Sequence, residues 1–155
     1  MKIHILTISN KYPLWITNGF DQYSERIALN FPITLKQIKP SVKKNKNSDS
    51  TLLEEALKLE SYTPKNSLRI VLDNRGKLLS TEKFYSQFQV WMNQGKDLCF
   101  IIGSADGLAQ KMRDDADFIL SLSNMTIAHP LALVLLTEQI YRVVSIINRH
   151  PYHRG

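Results

Sequence analysis

The segment Leu98–Ile102 constrains the fold more than any other part of the chain, because every one of its residues is apolar. A strand that is apolar on both faces must be covered on both faces, which is typical of the centre of a parallel sheet. Other strand-like segments alternate along the chain with amphipathic helical segments. They are Ile3–Ile8, Ile33–Ile38, Leu68–Asp73 and Phe118–Leu122. The sequence therefore predicts one α/β domain over residues 1–155, with a mainly parallel sheet.

Helices are predicted from apolar spacing and from capping residues. Ser80 is a typical N-cap, and Thr51–Glu54 has the pattern of a capping box. Asn74–Gly76 follow the third strand and are predicted to form a turn. The expected helices are Trp15–Ala28, Thr51 to about Glu60, one after Ser80 that ends at Gly95, a short one up to about Asp114, and one from Pro130 to near Asn148.

Charge and composition indicate the kind of partner. The chain has 20 Lys and Arg against 14 Asp and Glu, a formal net charge of +6, which favours a polyanionic partner such as nucleic acid. The basic segment with Lys39, Lys43, Lys44 and Lys46 is either a solvated loop or a phosphate contact. The single cysteine, Cys99, is expected to be a buried core residue and suits a reducing compartment.

No apolar segment reaches the ~20 residues that a membrane-spanning helix needs. The longest, Leu131–Ile147, is interrupted by Glu138, Gln139 and Arg142. We therefore expect a soluble protein of the cytoplasm. Because this last helix is unusually apolar for an outer helix, we also expect part of it to lie in a dimer interface.

Polar or glycine residues follow three of the predicted strands. They are Leu72 with Asp73, Gly103–Gly107, and Leu122–Ile127. Open α/β sheets bind ligands at the carboxyl ends of their strands, and Gly103 would let a ligand approach the backbone closely. Neither a dinucleotide-binding fingerprint nor a P-loop motif occurs. These positions are either a ligand site of another kind or ordinary turns.

The segment Asn148–Gly155 contains two histidines, two arginines and a tyrosine. These side chains can hold phosphate, stack on bases and exchange protons, but a frayed chain end is the alternative. No carboxylate or cysteine lies near His150 and His153 in the sequence to complete a metal site, so we expect no metal.

Several segments together resemble one family. They are Leu72–Lys77, Ser80–Phe84, Phe100–Gly103 with Gly107, Ser121–Thr126, His129-Pro130, Glu138–Arg142 and Pro151–Arg154. Over its whole length the chain is similar to the bacterial ribosomal RNA large subunit methyltransferase H family, which methylates N3 of a pseudouridine in 23S rRNA. The resemblance implies the SPOUT fold with a C-terminal trefoil knot, a homodimer, and S-adenosylmethionine as the methyl donor. The RNA partner would be the large subunit or the assembled ribosome.

The resemblance also implies a cofactor pocket formed by Leu72, Gly103, Leu122, Ser123, Asn124, Met125, Thr126 and Ile127. Methylation of a protonated ring nitrogen needs a base or stabilisation of the anion. The candidate catalytic residues are His129, Arg142, Tyr152, His153 and Arg154. The chain departs from the family pattern at Ser104, which replaces a glycine, and at Leu133, which replaces a common arginine. Two alternatives stay open: a non-catalytic RNA-binding module, and a nucleotide-binding α/β enzyme of another reaction.

Overall fold

The computed structural model describes residues 1–42 and 48–154 of the 155-residue chain. Strands and helices alternate along it as the sequence predicts. The strands are β1 (Ile3–Ile8), β2 (Ile33–Ile38), β3 (Ser67–Leu78), β4 (Asp97–Ile102) and β5 (Phe118–Ser121). The helices are α1 (Leu14–Ala28), α2 (Ser48–Tyr62), α3 (Thr81–Met92), α4 (Gln110–Asp114) and α5 (His129–Ile147).

The strands form one sheet in the order β2-β1-β4-β3-β5, and every neighbouring pair is parallel. β4 lies between β1 and β3, as its uninterrupted apolar sequence predicts. Its side chains alternate between two cores. Phe100 packs with residues of α1, α3 and α5, whereas Cys99 and Ile101 pack with residues of α2 and α4. The predicted α/β fold with a parallel sheet is confirmed.

The start of α3 agrees with the prediction, and its end does not. Ser80 caps the helix, because its side chain accepts a hydrogen bond from the Lys83 amide (3.3 Å). The helix ends at Met92 instead of Gly95. Asn93 already closes the last turn with backbone hydrogen bonds, and Gly95 has a φ of +67°, which does not occur inside an α-helix.

The start of α2 lies before the predicted one. The helix begins at Ser48, and Thr51 is buried within it instead of capping it. Asp49 in the first turn favours the earlier start, because a carboxylate stabilises a helix N-terminus. In the preceding basic segment Lys39 is exposed. The predicted phosphate contacts Lys43, Lys44 and Lys46 lie outside the described residues.

β3 continues through the residues that were predicted to form a turn. Asn74–Gly76 are part of the strand, which extends to Leu78. Leu72 and Lys77 both pair with Leu120 of β5, so the residues between them bulge from the sheet. The turn prediction was wrong because glycine and polar residues suit a β-bulge as well as a turn.

Gly76 lies close to the backbone of β5. A Cβ at this position would lie 2.7 Å from the carbonyl carbon and oxygen of Ile119. We expect Gly76→Ala to lower the free energy of unfolding by about 3 kcal/mol, because the paired backbone cannot move aside. The control is Gly95→Ala, where no atom lies within 4 Å and only the positive φ costs about 1–2 kcal/mol. Denaturant unfolding measures both, and equal losses would contradict the close approach.

α5 packs against α1 and α3, and most of its apolar residues are buried in the chain's own core. Among the described helices it alone is long and apolar enough to cross a membrane, but half of it is buried inside the protein. A helix buried in the core of a protein can be equally long and apolar. The apolarity that suggested a dimer interface is therefore explained largely by intramolecular packing. Leu131 and Leu135 remain as large apolar residues of α5 that are exposed, at 44% and 43%.

Candidate active site

A cleft of about 340 Å³ opens at the carboxyl ends of β4 and β5 and beside the bulge of β3, at the edge where α/β sheets bind ligands. Three backbone segments form its walls. They are the β3 bulge (Asp73–Arg75), the β4 loop (Gly103–Leu108) and the β5 loop (Ser121–Ile127). The three strand ends selected from the sequence thus lie together around one cavity.

The predicted cofactor residues that line this cleft are Leu72, Gly103, Leu122, Ser123, Met125, Thr126 and Ile127. Asn124 is exposed and does not line it. The β5 loop holds its shape by its own hydrogen bonds. The Ser123 hydroxyl accepts from the Met125 amide (2.9 Å), and the Ser121 hydroxyl donates to the Ser123 carbonyl (3.0 Å). This tight turn leaves Asn124 at its tip.

Gly103 lines the cleft, but its missing side chain makes room for the β4 loop. A Cβ there would lie 2.6 Å from the Gly107 carbonyl oxygen and 2.7 Å from Leu108 Cγ. Close approach of the loop therefore explains why this position takes a glycine, and close approach of a ligand to Gly103 stays a prediction. Gly107 differs: its φ is +87°, and an added Cβ would meet no atom within 4 Å. The space beside Gly107 is open.

His129 is the predicted catalytic residue that lies in the cleft. It is the first residue of α5, and its ring lies 6.2 Å from the ring of Tyr12. The Tyr12 hydroxyl is held by a 2.7 Å hydrogen bond with the Thr7 hydroxyl. Burial lowers the pKa of His129. Its imidazole is therefore neutral at pH 7 and able to accept a proton.

The other predicted catalytic residues, Arg142, Tyr152, His153 and Arg154, lie in the C-terminal half of α5 and in the tail that follows it. We name Glu138, Arg142, Tyr152 and His153 the tail cluster. Glu138 Oε1 accepts hydrogen bonds from Arg142 Nε (3.0 Å) and from the Tyr152 hydroxyl (3.0 Å). The Tyr152 ring lies 4.6 Å from the Tyr141 ring and 4.8 Å from the Arg142 guanidinium. The frayed-end alternative is therefore wrong as far as Tyr152.

The electrostatics of the tail cluster keep two of its members in fixed ionisation states. The hydrogen bond to Glu138 raises the pKa of Arg142, and burial raises the pKa of Tyr152. Arg142 therefore stays charged and Tyr152 stays a neutral donor. His153 Nδ1 lies 3.4 Å from Arg142 NH1. Arg154, the next residue, is exposed, and its Nε donates to the Pro151 carbonyl (3.4 Å).

The cleft and the tail cluster are separated by most of the length of α5. His129 begins the helix and Arg142 follows thirteen positions later. At 1.5 Å per residue, these two residues lie about 20 Å apart along the axis. Within one chain the predicted catalytic residues are therefore not brought together. His129 is in the cleft, whereas Arg142 lies further along α5 and the tail residues Tyr152 and His153 pack beside it.

The sequence analysis missed two residues that shape these sites. Glu138 holds the tail cluster, and its i, i+4 spacing to Arg142 was the signal that could have identified it. Arg113 pairs with Asp73 of the β3 bulge (3.2 Å), and both side chains are nearly buried. No sequence spacing links these two residues, because the fold alone brings them together.

Comparison with known proteins places this geometry in a family. A family model described as "Predicted SPOUT methyltransferase" matches residues 1–153. The chain belongs to the SPOUT methyltransferase family. It is 38% identical, over 100% of both chains, to "Ribosomal RNA large subunit methyltransferase H" of Burkholderia mallei (strain SAVP1). It is 40% identical, over 99% of each, to the protein of the same name from Paraburkholderia phytofirmans.

Two solved structures share the fold of this chain. One is described as a probable methylase family protein from Haemophilus influenzae, with a TM-score of 0.59 and 13% identity over 99% of this chain and 70% of that one. The other is a methyltransferase from Legionella pneumophila in complex with the bound cofactor SAM, with a TM-score of 0.55 and 13% identity over 92% and 66%. The C-terminal knot is consistent with this fold and stays a prediction.

This SPOUT methyltransferase accommodates both of its departures from the expected pattern. Leu133 is fully buried in the core, so this position cannot contact RNA. Ser104 keeps the β4 loop closed, because its carbonyl accepts a hydrogen bond from the Gly107 amide (2.9 Å). Among residues 1–42 and 48–154, no group of three or more His, Cys, Asp or Glu side chains could hold a metal ion.

Proposed function

We propose that this chain uses S-adenosylmethionine to methylate N3 of a pseudouridine in 23S rRNA, acting in the cytoplasm on the large subunit or the assembled ribosome. The cleft carries the proposal, because it unites residues of all three predicted cofactor segments in a chain of the SPOUT methyltransferase family. Full-length relatives named for ribosomal RNA methylation support the substrate. The net charge of +6 also supports a phosphate-rich partner.

The cleft residues fit the chemistry of this cofactor. The apolar side chains of Leu72, Leu108, Leu122 and Ile127 suit an adenine ring, and the open space beside Gly107 leaves its backbone accessible. S-adenosylmethionine supplies a methyl group that is already activated by its bond to a sulfonium. The chain's main task is therefore to hold the cofactor so that this methyl faces the target nitrogen.

The target nitrogen must lose its proton during methyl transfer. His129 lies in the cleft with a neutral imidazole, so it is the candidate to accept this proton. Arg154 is exposed and charged, which suits contact with a phosphate or with the developing anion. Arg142 and Tyr152 act through the tail, because their polar groups already bond to Glu138.

The separation of His129 from the tail cluster supports a homodimer. A two-fold axis that sets two α5 helices antiparallel would bring the tail of one chain to the cleft of the other. Exposed apolar residues near the cleft end of α5 suit such a contact, since isolated monomers rarely expose contiguous apolar surface. They are Leu14, Trp15, Leu131 and Leu135. We propose a dimer in which the tail of each chain completes the cleft of its partner.

The dimer predicts a molar mass of twice the 17.8 kDa of one chain. Light scattering at micromolar concentration measures it. Leu131→Glu with Leu135→Glu should shift the mass toward the monomer, because two carboxylates would have to be buried at the contact. A mass near 18 kDa for the unmodified chain would refute the dimer.

Two measurements test the proposed function. Calorimetry with S-adenosylhomocysteine, the demethylated cofactor, should show binding to the free protein. Mass spectrometry of ribosomal RNA from a deletion strain should show the loss of one methylated pseudouridine, restored by the intact gene. RNA binding without cofactor binding would instead identify a non-catalytic RNA-binding module. Cofactor binding with unchanged ribosomal RNA would identify an enzyme that acts on another substrate.

A further inference from the structure

We propose that Arg113 is a positioning residue for the cofactor cleft, and that with Asp73 it locks two of the three cleft walls together. The inference rests on the proposed function, because it assigns the cleft to the cofactor. Arg113 does not line the cleft. It lies on α4, behind the walls, and acts through the residues it holds.

The guanidinium of Arg113 bridges two walls. Its NH1 donates to the Leu108 carbonyl of the β4 loop (2.7 Å) and to Asp73 Oδ2 of the β3 bulge (3.2 Å). Its NH2 donates to Gln110 Oε1 on α4 (2.8 Å). One side chain thus connects the β4 loop, the β3 bulge and the helix that follows the loop.

Asp73 transmits this connection to the shape of the bulge. Its other oxygen, Oδ1, accepts a hydrogen bond from the Arg75 amide (2.9 Å), which bends the backbone of the β3 bulge. Both carboxylate oxygens are therefore engaged by the chain itself. The Asp73 and Arg113 side chains are 8% and 10% exposed, so water competes little for the pair.

The bridge requires an arginine. A guanidinium offers several donors in a rigid plane, and here three acceptors on different segments use them. A lysine ammonium could keep the charge next to Asp73, but its side chain is one bond shorter than that of arginine and has no second nitrogen to hold Gln110. We therefore expect Arg113→Lys to restore the pairing with Asp73 without restoring the full bridge.

The first test needs no cofactor. Hydrogen exchange of the free protein should be faster by about tenfold or more in both the β3 bulge and the β4 loop of Arg113→Met than in the wild type. The matched control is Lys111→Met, on the same helix and with the same charge change, because Lys111 is half-exposed and pairs with the partly exposed carboxylates of Glu60 and Asp115, away from the cleft walls. Unchanged exchange in Arg113→Met, or equal acceleration in the control, would overturn the inference.

The second test measures S-adenosylhomocysteine by calorimetry. Arg113→Met should raise the Kd by about tenfold or more, Arg113→Lys by less, and Lys111→Met by no more than about twofold. Arg113→Met leaves the nearly buried Asp73 carboxylate with the exposed Arg75 side chain (3.4 Å) as its ion-pair partner. The double variant Asp73→Asn with Arg113→Met removes the charges of both Asp73 and Arg113, so it avoids leaving a nearly buried charge without its buried partner. It should show the same weak binding. Tight binding by the folded double variant would overturn the proposal.

A kinetic readout separates positioning from general destabilisation. In Arg113→Lys, the KM for S-adenosylmethionine should rise while the KM for ribosomal RNA stays within about twofold. Equal rises in both KM values would overturn the assignment to the cofactor walls. If the wild type itself binds no S-adenosylhomocysteine, the proposed function fails, and faster exchange in the free Arg113→Met protein still decides whether Arg113 locks the walls.

Discussion

Truncation after His150 is expected to reduce methyl transfer to ribosomal RNA by about a hundredfold or more, through the loss of contacts of ~1–3 kcal/mol each. The truncation removes Tyr152, which holds the tail in place, together with His153 and Arg154, which offer an imidazole ring and a positive charge to the RNA. Affinity for S-adenosylhomocysteine should stay within about threefold, because the tail contributes no residue to the three cleft walls of its own chain. Methyl transfer from labelled cofactor and calorimetry measure the two quantities.

The truncation also removes packing, because Tyr152 is half-buried against Tyr141. Two single variants separate packing from substrate contact. Arg154→Ala removes an exposed charge and should account for about a tenfold loss of activity without a change in stability. Tyr152→Phe keeps the ring and removes the hydrogen bond to Glu138, so it should mainly loosen the tail. Full activity of the truncated enzyme would assign the tail a structural role and leave His129 and Arg142 as the candidate catalytic residues.

Local patterns predicted most of the fold and most of the cleft. The apolar run of β4 placed that strand at the centre of the sheet, and glycine and polar residues after β3, β4 and β5 marked the cleft. The position of β4 follows from its apolar residues, because such a strand is buried on both faces. The location of the cleft follows from the rule that parallel strands of an α/β sheet bind ligands at their carboxyl ends. Such properties can be derived without knowing which segments meet.

Features that depend on contacts between distant segments could not be derived in this way. Nothing in the sequence indicates that Arg113 reaches Asp73, or that the space beside Gly103 is filled by Gly107. The β3 bulge was predicted as a turn, because its glycine and polar residues are compatible with a turn and with a bulge. Only the pairing of β3 with β5 determines which of the two forms. The separation of His129 from Arg142 follows from their positions on one helix. Whether the two residues act in the same site depends on how a second chain binds.

Gly103→Val is expected to weaken S-adenosylhomocysteine binding by about a hundredfold or more, because the added side chain would overlap the backbone of the β4 loop and displace one cleft wall. Valine also tends to destabilise the protein, so the control is Gly95→Val. Gly95 has a positive φ, no atom lies within 4 Å of an added Cβ, and the residue lies outside the cleft. The Gly95→Val protein should therefore be less stable but bind S-adenosylhomocysteine with unchanged affinity. Unchanged affinity in Gly103→Val would remove the β4 loop from the cofactor site.

The two inactive variants together test the shared site. In a mixed dimer, the truncated chain offers an intact cleft and the Gly103→Val chain offers an intact tail. If each cleft is completed by the tail of its partner, an equal mixture should regain about a quarter of wild-type activity, since half of the randomly paired dimers carry one complete site. Native mass spectrometry should confirm that mixed dimers form. Mixed dimers without activity would show that each chain uses its own tail. The tail would then have to move toward the cleft of its own chain, because about 20 Å of helix separates His129 from Arg142, against which Tyr152 packs.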